Sequence, residues 1–76
     1  MKYLVTEIQT FENGAVSNPT YAYDSENSAL SKFYSILSAA AVSKLPTHAC
    51  MLFTSEGIAL KSECFIHPVE EEPSAE

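Results

Sequence analysis

A helix-forming run from Asp24 to Lys44, with two strand-like stretches ahead of it and two behind, constrains this chain more than any other feature. Leu30, Phe33, Tyr34, Leu37 and Ala41 recur at the three-to-four spacing that gathers apolar side chains on one helix face. Asp24 or Ser25 is placed to cap that helix, Glu26 to meet the positive end of its dipole, and Pro46 to prevent its continuation. One helix between two hairpins predicts an α+β fold of order ββαββ: a four-stranded antiparallel sheet with the helix packed on one face. Residues 1–68 make up the single domain expected, and 69–76 a disordered acidic tail.

The first hairpin turns at Asn13-Gly14, a pair suited to the two positive-φ positions of a type I′ turn. A two-residue turn there sets Phe11 opposite Val16, Ile8 opposite Pro19, Thr6 opposite Tyr21 and Leu4 opposite Tyr23. Pro19 has no N–H to donate, so its strand belongs at an edge or carries a bulge. The second hairpin turns at Glu56-Gly57, which pairs Phe53 with Leu60, Met51 with Ser62 and Ala49 with Cys64. That face, with Ile58 and Ile66, is the one expected to meet the helix. The reverse face pairs Leu52 with Lys61, Cys50 with Glu63 and His48 with Phe65. Cys50 and Cys64 then lie on opposite sides of the sheet, and no disulfide joins them.

Both sheet faces are apolar in this reading, and one helix covers only one. Tyr3, Val5, Phe11, Val16, His48, Cys50, Leu52 and Phe65 fall on the uncovered side. Burying four such side chains is worth roughly 1.5–3 kcal/mol each, comparable with the whole stability of a chain of 76 residues. A wet patch of that size is unusual on a monomer. A symmetric homo-oligomer is the expected resolution, with Tyr3, Val5, Phe11, Val16, Cys50, Leu52 and Phe65 at its interface. Ala39-Ala40-Ala41 would let the sheet or a neighbouring subunit approach the helix closely.

Charge excludes other partners. The net charge is −6, four of the ten acidic residues follow His67, and the four basic residues are all lysines. A chain without arginine, its lysines scattered, lacks the footprint of a nucleic-acid binder. No apolar run reaches the roughly 18 residues that would span a membrane. The opening Met1 to Val5 is too short for a signal peptide, and two lone cysteines suit a reducing compartment, so a cytoplasmic location is expected.

Catalytic and metal chemistry are not expected. His48 and Cys50 share a strand face with Glu63 opposite Cys50, but side chains two apart on a strand project in parallel and do not converge as a Cys–His–Glu nucleophile requires. His48, Cys50, Cys64 and His67 lack the paired spacing of zinc ligands. Gly14 and Gly57 are isolated turn glycines rather than a phosphate-cradling loop, and no cofactor is called for. Ser28, Ser31, Ser35, Ser38 and Ser43 line one helix side, a solvated face or the wall of a ligand cleft. Tyrosines such as Tyr21, Tyr23 and Tyr34 combine stacking rings with hydrogen-bonding tips.

The stretch Ser31-Lys32-Phe33-Tyr34-Ser35-Ile36-Leu37-Ser38-Ala39-Ala40-Ala41-Val42-Ser43, then Pro46-Thr47-His48-Ala49 and Glu56-Gly57, resembles small uncharacterised phage and prophage proteins of Firmicutes. The opening Tyr3 to Thr10 is similar too. The resemblance carries no established activity. It implies a small viral product working in a bacterial host cytoplasm, where such proteins serve as virion or assembly factors or counter host defence. The expectation taken forward is a non-enzymatic, oligomeric binding protein that counters host defence by sequestering a nucleotide-derived immune signal between subunits, with Tyr21, Tyr34, Ser38 and His48 as ligand contacts. The alternatives are a virion assembly component and an inhibitor that binds a host defence protein directly.

Overall fold

A computed structural model describes residues 1–67; the tail expected over 69–76 lies outside the described residues. The elements are β1 (Tyr3–Thr10), β2 (Val16–Ser17), β3 (Thr20–Tyr23), α1 (Glu26–Ala41), β4 (Thr47–Thr54) and β5 (Ala59–Ile66). The α+β class holds: one helix on an antiparallel sheet of five strands. β1 and β4 are central, β5 flanks β4, and β2 and β3 both pair with β1. β2 and β3 are two halves of one hairpin arm, parted at Asn18-Pro19 on the sheet edge, as the missing proline donor requires. The Pro19 carbonyl still accepts the Glu7 N–H at 3.0 Å, so register runs through the break.

That register differs by one residue from the expected one. Phe11 donates its N–H to Ala15 O and Gly14 donates to Phe11 O, both at 2.9 Å, closing a three-residue loop of Glu12, Asn13 and Gly14. Gly14 alone has positive φ, at 90°, with Asn13 in the ordinary region and its Oδ1 accepting the Ala15 N–H. This is a type I turn followed by a left-handed glycine, not a type I′ turn. Tyr21 therefore pairs with Val5 and Tyr23 with Tyr3. A slip of one residue moves every side chain of the arm to the other face. Gly14→Ala puts an L side chain at that φ with no contact to compensate. It is expected to cost about 1–2 kcal/mol, read as a fall of several degrees in Tm.

The second turn repeats the motif: Thr54 donates to Ile58 O and Gly57 to Thr54 O, both at 2.9 Å. Here a β-bulge between Leu52 and Phe53 takes up the extra residue, pairing Phe53 with Ala59 and leaving Leu60 unopposed. Beyond it the expected pairs hold: Leu52 with Lys61, Cys50 with Glu63 and His48 with Phe65.

The face covered by the helix is the reverse of the one expected. Val5, Cys50 and Leu52 are sealed beneath it with Ala29, Phe33 and Ile36, while Tyr3, Tyr21, Tyr23, Leu30 and Leu37 pack around them. These three strand residues are core, not oligomer interface. Two causes act together. The slip in the first hairpin brings Tyr21 and Tyr23 to the Val5 side. In addition, β3 and β4 both run antiparallel to β1, so α1 is a crossover between parallel strands. Such connections are right-handed in nearly all proteins, which opens only one face to the helix.

Within the helix the buried stripe is Ala29, Phe33, Ile36 and Ala40. Tyr34 and Ala41, expected in that stripe, are exposed. Ser25 is the N-cap, its side chain accepting the Ser28 N–H at 3.1 Å. At the other end the His67 ring Nε2 meets the Ala40 carbonyl at 2.9 Å, so a side chain from beyond β5 caps the helix where its last turn has no basic residue.

Candidate functional site

Three features outside the apolar core carry chemistry. The first is a polar cluster under the C-terminal end of α1. His48 is 4% exposed, and its Nε2 lies 2.6 Å from Glu7 Oε2 while its Nδ1 lies 2.9 Å from Ser43 Oγ. Glu7 also accepts from the Gln9 side-chain amide at 3.1 Å. A carboxylate only accepts, so Nε2 carries a proton and Nδ1 can take the Ser43 hydroxyl. Serine, imidazole and carboxylate stand in the order of a hydrolytic triad, but the imidazole is sealed from solvent. Ser43 Oγ, moreover, lies 3.4 Å from the Leu45 N–H, tying down the connection into β4. The arrangement fastens the helix end to the sheet.

Cys50 sits beside this cluster without joining it. Burial first, and then the nearby Glu7 charge, push its thiol up to about 11, so at neutral pH it is a protonated, inert core group. Cys64, on the opposite face, is exposed, and both cysteines are free. Native protein at pH 8 is therefore expected to titrate with one thiol per chain against an aromatic disulfide reagent, and with two in denaturant. Because the folded-state value of Cys50 is raised, its contribution to stability is complete below the ordinary thiol range and is lost as pH climbs toward 11.

The second feature is a hollow on the β3 flank of the helix, lined by Tyr23, Ser28, Ser31, Lys32 and Ser35. The spacing of Ser28, Ser31, Lys32 and Ser35 places one cation and three hydroxyls on one helix side. Lys32 Nζ stands 4.3 Å from the centre of the Tyr21 ring. Among the described residues the one lysine–carboxylate pair is Lys2 with Asp24, so Lys32 has none. The serine periodicity is visible in the sequence; the arrival of Tyr21 and Tyr23 beside it depended on the register slip.

The expected ligand contacts do not come together. Tyr21 lies under Lys32 on the β3 flank, whereas Tyr34 lines a groove on the β5 flank with Phe33, Leu37, Lys61, Ser62 and Glu63. Ser38 is exposed on the helix and His48 is buried in the polar cluster.

The third feature is the sheet face away from the helix. The pairings place Leu4, Thr6, Ile8 and Thr10 of β1, Thr20 and Ala22 of β3, Thr47, Ala49, Met51 and Phe53 of β4, and Ser62, Cys64 and Ile66 of β5 on it. None of these is charged. Ile66 is 76% exposed and Val16, at its margin, 59%. Of the interface residues expected from the sequence, Val16 alone belongs to this face. Phe11 lies on the other side with Lys44, Leu45 and Pro46, and Tyr3 and Phe65 are half-buried on the helix side.

Comparisons with family models, curated proteins and solved structures gave no match. No helix among the described residues is long and apolar enough to cross a membrane. Nor, among those residues, does any group of three His, Cys, Asp or Glu gather in a way that could hold a metal ion.

Proposed function

We propose that this chain is a small, non-enzymatic, self-associating binding protein that works in a host cytoplasm. One observation carries the reading: the helix covers one face of the sheet and leaves the other apolar, uncharged and open. Self-association is the simplest way for such a face to leave water. The sealed imidazole and the inert Cys50 thiol support a role without covalent chemistry.

The ligand class follows from the hollow on the β3 flank. An ammonium with no carboxylate partner among the described residues, three hydroxyls and two tyrosine rings suit a small anion bearing an aromatic base, in keeping with sequestration of a nucleotide-derived signal. The resemblance to phage proteins supplies the context of countering host defence. The contacts in this reading are Tyr21, Tyr23, Ser28, Ser31, Lys32 and Ser35, and the site sits beside the helix rather than between subunits.

The test is a thermal-shift panel of cyclic and ADP-ribose-derived nucleotides. A binder at 100 times its Kd adds about 2.7 kcal/mol, a rise of many degrees for a chain this small, and Lys32→Glu should abolish it. Recovery of the unaltered nucleotide after denaturation is expected. No shift with any nucleotide would overturn the sequestering role and leave a virion assembly component or a protein-directed inhibitor in its place.

A further inference from the structure

We infer that the open sheet face seats a second copy of this chain, sheet against sheet with the helices outward, in a four-layer α/β/β/α sandwich. The inference rests on the self-associating reading above and specifies which surface does the associating.

Three observations select the face over the edges. Both edges are guarded against strand addition. The β2–β3 arm is broken at Asn18-Pro19, and β5 is bulged at Leu60 and carries Lys61 and Glu63. Interrupted, bulged and charged edges are the devices by which sheets avoid pairing with another chain. The face has no such device: it carries no charge and no proline.

The layout of the face is also that of an interface. Leu4, Ile8, Ala49, Met51 and Phe53 occupy the central strands β1 and β4 around Thr6, the apolar surface runs on to Val16 and Ile66 at the margin, and Thr10, Thr20, Thr47 and Ser62 are the other hydroxyl residues of the face. An uncharged surface that is mostly apolar and carries a few small hydroxyls matches the charge-depleted centre of stable protein contacts. With no charge on either side, two identical faces meet without repulsion.

The area is sufficient. Four strands spaced about 4.8 Å apart and rising about 3.3 Å per residue give eight-residue strands a footprint of roughly 500 Å² on each copy. Two such footprints make roughly 1,000 Å², the lower bound of specific interfaces. A small dimer of moderate affinity is the particle this describes.

Light scattering on the full chain, with Met51→Glu and the alkylation rate of native Cys64, tests it. The wild type is expected near twice the 8.3 kDa chain mass. Met51→Glu sets a charge in the middle of the contact and should weaken self-association about tenfold or more, with the circular dichroism of the fold retained. Cys64 should alkylate about tenfold more slowly once the concentration passes the dimer dissociation constant. If Met51→Glu does not fold, the Cys64 rate in the wild type decides alone. An oligomer whose mass survives Met51→Glu, with Cys64 equally reactive at every concentration, overturns the face while sparing the self-associating reading. A solitary chain at high concentration overturns both.

Discussion

Phe33→Ala is expected to remove about half of the chain's stability. Phe33 is the largest fully buried side chain, 2% exposed, between Val5, Cys50 and Leu52 of the sheet and its helical neighbours Ala29 and Ile36. Truncation removes its transfer free energy and leaves a cavity that a rigid sheet closes poorly, a cost of about 3–5 kcal/mol. A chain of this length holds only about 4–11 kcal/mol in total, so at mid-range the loss is about half of it. Urea titration followed by far-ultraviolet circular dichroism measures the effect. Tyr34→Ala, one position along and exposed, is the control and should cost under about 1 kcal/mol. Equal losses at the two positions would mean that the helix packs on a different stripe.

His48→Ala is expected to cost about 3 kcal/mol, nearly as much, for a different reason. Removing the imidazole strands a part-buried carboxylate without its closest donor, a cost of about 3 kcal/mol or more for a charged group. Glu7 keeps 16% of its side chain in solvent, which argues for the lower end. Gln9 alone would remain to satisfy the carboxylate. The signature is non-additivity: Glu7→Ala and His48→Ala together should be less damaging than the sum of the two by at least about 1 kcal/mol. Strict additivity in the cycle would show that the contact contributes nothing to stability. Since Ser43 ties the same imidazole to the chain entering β4, proteolysis at that connection should accelerate in His48→Ala.

The helix, its Ser25 cap, both turn positions and the edge placement of Pro19 were legible because each depends on residues close in sequence. The helix stripe was legible in part: Leu30, Phe33 and Leu37 pack on the core as expected, while Tyr34 and Ala41 are exposed and Ala29, Ile36 and Ala40 complete the buried face. The polar cluster was not legible. Glu7 and His48 are 41 positions apart, and neither shows in its own strand which neighbour it will meet. The hollow on the β3 flank was half legible, its serines periodic and its tyrosines placed on the wrong side by the slipped hairpin.

Local chemistry by itself determined that there would be two hairpins about one helix, that Cys50 and Cys64 would stand on opposite faces, and that one apolar face would stay uncovered. Which face stays uncovered was decided only in three dimensions. Strand alternation makes the two faces equivalent until a register is chosen, and that choice lay with a single left-handed residue, Gly14. The helix then had to cross from β3 to β4 over β1, and the handedness of that crossing, which no run of residues encodes, sealed Val5 and Leu52 inside and left Ile8 and Met51 out.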